Sequence, residues 1–141
     1  MDSRIIYTQE NGSVSIIIPA NCGLAIEEIA AKDVPDGLSF EIINASDVPS
    51  DRLFRSAWEH DTSPAAGKIK VSTDKAKIIA HSERRKKRSE EFMLIDGDNQ
   101  YLALTEEGES LRQPIRDKYA SMQTKIDAAK TPAAIKKALG L

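Results

Sequence analysis

Apolar residues in the first 44 positions come in short β-branched runs. "RIIYTQ" and "SVSIII" flank "ENG", and "LSFEII" follows after a turn at "PDG". Runs of this length and composition predict strands. Asn11-Gly12, a pair whose two positions both tolerate positive φ, predicts the hairpin turn between the first two. Between them and the third run, "GLAIEEIAAKDV" sets Leu24, Ile26, Ile29 and Ala30 near helical spacing. The order is therefore β-β-α-β, enough to close a small core where a lone hairpin would be marginal.

After residue 72 the pattern changes to long helices. "TDKAKIIAHSERRKKRSEEFMLI" starts at Thr73, a side chain suited to cap a helix, with Asp74 in the first turn. The middle of this helix has no apolar stripe. A second helix is predicted from Thr105 to Ala129, where Leu111, Ile115, Tyr119, Met122, Ile126 and Ala129 step by fours and threes. That is a narrow, coiled-coil-like seam. Pro114 falls inside it and should kink the helix or delay its start. "KTPAAIKKALGL" closes the chain as a short helix with Thr131 as cap, Pro132 at its first position and Gly140 as its stop.

The chain thus reads as α+β: a small module over residues 1–60, a connection over 61–72, and a helical region over 73–141 of hairpin or coiled-coil type. Charge agrees with that division. Residues 1–72 carry 6 Lys or Arg against 11 Asp or Glu, and residues 73–141 carry 14 against 11. "HDTSPAAGK", His60 to Lys68, has the Ser, Thr, Pro and Gly of a connecting loop.

The total of 141 residues suits one domain or a small domain with a helical appendage, and 5% aromatic residues allow only a modest core. A net charge of −2 gives no global field to recruit nucleic acid or membrane. Cys22 is the only cysteine, so no internal disulfide or multi-Cys zinc site is expected. "MDSRIIYTQENG" shows no signal-peptide pattern, and no apolar run approaches the ~20 residues of a membrane span.

Candidate chemistry is sparse. The run "ERRKKR" places Arg84, Arg85, Lys86, Lys87 and Arg88 together. It could meet phosphates, or form a solvated helix face balanced by Glu83, Glu90 and Glu91 at helical spacing. "DGDNQ", Asp96 to Gln100, begins like a calcium loop and has Glu107 at its twelfth position, but Tyr101 stands where the loop needs Gly. His60 between Glu59 and Asp61 is a poor metal site, because neighbours on an extended chain point apart. Cys22 and His81 have no visible catalytic partners. No phosphate-cradling loop and no H-E-x-x-H motif is present. These readings give no catalytic residue, no metal and no cofactor.

"DVPSDRLFRSAWEH", Asp47 to His60, is the densest stretch and holds the single Trp. Pro49 forces an extended entry, and Ser50 or Asp51 can cap a short helical turn. Leu53, Phe54, Ala57 and Trp58 would then share one helical face, with Arg52, Arg55 and Glu59 opposite. Phe54 and Trp58 read as an apolar anchor, laid over the sheet or into a partner, and the arginines as its polar rim.

The same stretch carries a resemblance. "RIIYTQENGSVSIIIPA", "EEIAAKDVP", "ASDVPSDRLFRSAWE" and "IRDKYASMQTKIDAAKTPAAIKKAL" together resemble a family of small proteins encoded among the tail genes of tailed bacteriophages and prophages. Its members share "RIIY…IPA", "AKDVP", "D-x-PSDR-x-FR-x-AW" and a basic helix with "KA" near its start. The match covers most of the chain. "HSERRKKRSEEF" departs from it, being more basic than relatives that mix Arg with Ala and Glu. The resemblance implies a role in tail or tail-fibre assembly, as chaperone or minor virion component, in the host cytoplasm or the virion tail. It supplies no catalytic residue. The expected partners are tail proteins or a second copy of the chain, met through Phe54, Arg55, Trp58, Ile115, Tyr119, Met122 and Ile126. The alternative is a nucleic-acid-associated regulator using residues 83–88.

Overall fold

The computed structural model describes residues 2–63, 68–97 and 105–141. It is α+β, and it divides into two compact units between Ser72 and Thr73.

In the first unit β1 (Ser3–Thr8) is the centre of a three-stranded antiparallel sheet. β2 (Val14–Ile17) lies on one side and β3 (Phe40–Asn44) on the other. Side chains alternate across a strand, and here both faces are apolar. Ile5, with Tyr7, Ile17 and Ile42, packs on Ile29, Ala30 and Val34, contributed by α1 (Ile26–Asp33) and its end. Ile6, Val14 and Ile43 turn the other way, onto Trp58 and Ile69. Those two belong to a second antiparallel hairpin, β4 (Trp58–His60) with β5 (Ile69–Val71), in which Trp58 opposes Val71. The β-β-α-β order holds. The expected connection over 61–72 does not, because residues 69–71 are a strand that helps bury the indole. Residues 64–67 of that segment lie outside the described residues.

The first hairpin turns at Asn11-Gly12, with one correction. Only Gly12 takes positive φ, at 82°. Gly12 N donates to Gln9 O at 2.9 Å and Gln9 N to Ser13 O at 2.8 Å. This is a three-residue loop with Gly in the left-handed position, not the two-residue turn with both residues left-handed.

Among the described residues the second unit has three helices: α2 (Thr73–Asp96), α3 (Glu106–Ala128) and α4 (Pro132–Ala138). α2 and α3 are antiparallel: His81 meets Asp127 at one end, and Asp96 meets Arg112 at the other. Thr131 caps its helix as expected, its Oγ1 accepting from Ala134 N at 3.1 Å, and Thr105, expected only as the start of the second helix, caps α3 by accepting from Gly108 N at 3.1 Å. Thr73 is not the cap of α2 but its first helical residue, one position after Ser72. Pro114 lies within α3 without delaying its start. Gly140 takes φ 78° while Leu141 N donates to Lys136 O and Gly140 N to Lys137 O. Only a residue at ease in the left-handed region closes a helix in this double-bonded way. The core of this unit is Tyr119, Ile126 and Ala129 on the seam, Ile135 and Leu139 at α4, and Ala76 and Ala80 on α2.

Candidate functional site

The stretch from Asp47 to His60 does not form the predicted helix. Asp51 Oδ1 accepts from Leu53 N at 3.0 Å, a short 3-10 turn follows at Arg55–Ala57, and the chain extends into β4. The apolar spacing of Leu53, Phe54, Ala57 and Trp58 fits a helix, but pairing Trp58 with Val71 buries the indole more fully than an isolated turn could. Trp58 is 1% exposed and Phe54 5%. Both are core residues of this unit and present no surface to a partner.

Arg55 is more than rim. Its guanidinium carbon stands 4.5 Å from the centroid of the indole, and its Nη2 donates to Val14 O at 2.7 Å. Arg52 approaches the same ring at 6.0 Å. Burial first, and then the neighbouring Arg52 charge, lower the Arg55 pKa. The side chains of Arg4, on the Ile6 face of β1, and of Arg52 and Arg55 all line one cavity of about 380 Å³. Its remaining wall is Ile16, Ile18, Ala45, Val48, Pro49 and Ser50, so no carboxylate lines it. Among the described residues, no ion pair engages these three arginines.

On the same unit Glu41 bridges Lys68 and His60. His60 Nε2 is 2.5 Å from one carboxylate oxygen and Lys68 Nζ 2.6 Å from the other. The hydrogen bond from Lys68, then that with His60, lowers the Glu41 pKa. His60 thus works across the fold with Glu41, not with Glu59 and Asp61. Sequence reasoning missed this trio because the three residues lie on β3, β4 and beside β5.

In the helical unit the predicted seam divides. Tyr119, 2% exposed, and Ile126, fully buried, point into the unit's own core; Ile115 and Met122 are half-buried; Leu111 is exposed. Tyr119 and Ile126 are therefore closed to a partner, which corrects the expectation that Tyr119 meets another chain. The seam is covered by α2, which brings Ala76 and Ala80, and by α4 and its end, which bring Ile135 and Leu139. The Tyr119 hydroxyl donates to Glu91 Oε1 at 2.8 Å, and the same oxygen receives Lys118 Nζ at 2.5 Å. Burial, then that acidic partner, pushes the Tyr119 pKa up to about 12. A groove of about 480 Å³ runs beside it, lined by Tyr119, Met122, Leu94 and Leu139 among Lys87, Glu90, Glu91 and Lys118.

The basic run is split in the same way. Arg84 is 6% exposed and turned into the helical unit, with its Nε unpartnered. Lys87 Nζ reaches Leu139 O at 3.4 Å, while Arg85, Lys86 and Arg88 face solvent. Helical spacing explains this: Ala76, Ala80, Arg84, Lys87 and Glu91 are one stripe of α2. Cys22 is exposed. His81 Nε2 pairs with Asp127 at 2.8 Å. The calcium-like loop from Asp96 lies mostly outside the described residues. Among those described, no three His, Cys, Asp or Glu residues gather as a metal site, and no helix is long and apolar enough to cross a membrane. The chain matches no protein-family model, no curated protein and no solved structure.

Proposed function

We propose that the protein works by protein–protein contact in the assembly of a phage tail or tail fibre, as a chaperone or as a minor component of the particle. The resemblance of "PSDRLFRSAW" and its flanking stretches supplies the context. The surface observation that carries the reading is the groove beside Tyr119, where half-buried Met122 shares a wall with Leu94, 81% exposed. Apolar side chains left at a groove rimmed by both charge signs suit a protein partner better than a small polar substrate. A second copy of the chain is the simplest such partner, and a tail protein the other. The setting is the host cytoplasm during assembly, and the tail if the protein is retained.

Deleting the gene in a producing phage tests this. The expected result is particles with missing or malformed tails, restored by the wild-type gene and not by a folded Leu94→Asp/Met122→Asp variant. Normal, infective particles after deletion would overturn it. The burial of Arg84 takes one of the five cations out of the basic run, which supports protein contact over the nucleic-acid reading. DNA binding with a steep salt dependence would revive that reading.

A further inference from the structure

Three arginines converge on one cavity in a unit whose sequence is otherwise acidic. Arg4 comes from β1, and Arg52 and Arg55 from the loop before β4. Like charges brought together repel, and folding tolerates this only where something offsets it. The indole face offsets part, by holding the Arg55 and Arg52 guanidiniums at 4.5 and 6.0 Å. Backbone oxygens take one donor from Arg55, through Val14 O, and one from Arg4, through Ser3 O at 2.9 Å. A guanidinium has five donors, so most of the fork geometry remains unused. The rest of the lining is largely aliphatic: Ile16 and Val48 are half-buried, and Ile18 is 71% exposed although it lines the cavity.

We infer that this cavity is a binding site for an amphiphilic carboxylate, with the carboxylate between Arg4, Arg52 and Arg55 and an aliphatic body against Ile16, Ile18 and Val48. A planar carboxylate matches the guanidinium fork in a bidentate way. A bare phosphate would match the charge but leave the aliphatic lining wet, and among the described residues no glycine lines the cavity to form a phosphate-cradling loop. A volume of about 380 Å³ is at the small end of ligand sites, which run from ~300 to 1,000 Å³. A medium-chain fatty acid and the C-terminus of a peptide ending in an aliphatic residue share this chemistry. The inference stands apart from the assembly reading and does not need it.

Trp58 is the sole tryptophan and lies under two of the arginines, so its emission reports on the site. The full chain is titrated with octanoate, octanol, acetate, inorganic phosphate, and acetyl-Ala-Leu-Leu as free acid and as amide. Octanoate is expected to shift Trp58 emission saturably and to bind more tightly than acetate, phosphate or octanol. If the free-acid peptide binds and its amide does not, the natural ligand class is a chain terminus; if only octanoate binds, it is a fatty acid. Either supports the site. Arg52 is exposed, its fold hydrogen bond is made by its backbone oxygen, and among the described residues its side chain makes none, so Arg52→Gln should fold normally and weaken octanoate by about tenfold, the loss of one charge-assisted bond. Arg4→Gln gives a second variant on a different strand. The proposal is overturned if octanol or phosphate binds as well as octanoate, if no probe binds saturably, or if both variants keep wild-type affinity for octanoate.

Discussion

Arg55 crosses the indole face of Trp58 at 4.5 Å and closes its own hydrogen bond on Val14 O, 41 residues earlier in the chain. One side chain thus ties the loop before β4 to the edge strand β2 and covers the largest buried ring. Trp58→Ala removes that ring from a core with Ile6, Val14, Ile43 and Ile69. The expected cost is about 3–5 kcal/mol. Arg55→Lys keeps the charge but loses the planar stack and the fork, and should cost about 1–2 kcal/mol. Urea unfolding followed by far-UV dichroism measures both. A Trp58→Ala protein with an unchanged midpoint would contradict the core assignment.

Glu41 gives the first unit an acid-sensitive clasp. Its pKa is held below the ordinary value by Lys68 and then His60. A carboxylate lowered on folding stabilises the native state above its unfolded pKa, and that contribution disappears as pH falls through the folded value. Between pH 7 and about pH 3 the wild type should therefore lose more stability than Glu41→Gln does. Melting temperatures of the two proteins across that range decide it, and parallel curves would show the clasp to be energetically idle.

Much of this was legible in advance, and the failures have a common cause. Caps, periodicity and the Asn11-Gly12 turn are local, and the strands and helices they predict are present. The second face of the sheet is covered by Trp58 and Ile69, and Ile69 belongs to a three-residue strand, Ile69–Val71, inside a loop-like segment. Three residues carry no readable period. Arg84 was misplaced for a related reason: a run of five cations looks uniformly exposed, but a helix turns each position by about 100°, so at least one faces inward. The arginine cavity was not legible because Arg4 and Arg52 are 48 positions apart and meet only through the sheet.

Tyr119 gives the helical unit an alkaline limit. Its pKa is pushed up to about 12 by burial and by Glu91. A tyrosine raised on folding stabilises the native state fully below its unfolded value of ~10, and the benefit is lost as pH climbs from there through about 12. Tyr119→Phe should flatten the stability of the protein between pH 10 and about 12, and remove the latest phase from its absorbance titration at 295 nm. A phenolate that titrates fully near 10 would place Tyr119 in water.

Self-association depends on the half-buried seam residues that α2 and α4 leave partly uncovered. Ile115 and Met122 keep part of their surface while Tyr119 and Ile126 do not. If a second copy covers them, Ile115→Asp/Met122→Asp should shift wild-type sedimentation from dimer to monomer while helicity is retained. A wild type that is monomeric at high concentration would assign the groove to a different partner.

Arg84 makes the opposite kind of prediction, in which removing a charge is tolerated. It lies on the stripe of α2 that packs inward, two turns beyond Ala76 and one beyond Ala80. Burial, then Arg88 and Arg85, lower its pKa, and its Nε has no acceptor. A desolvated cation beside two others contributes little through its charge. What it contributes is the packing of its aliphatic stem. Arg84→Met keeps a comparable unbranched stem and discards the charge, so stability should be unchanged or higher by about 1 kcal/mol, as when buried ionic groups give way to apolar ones. Arg84→Ala discards the stem as well and should lose about 1–2 kcal/mol to the void. Chemical denaturation of the pair separates stem from charge. If Met and Ala are equally destabilising, the guanidinium makes bonds that hold the helices together.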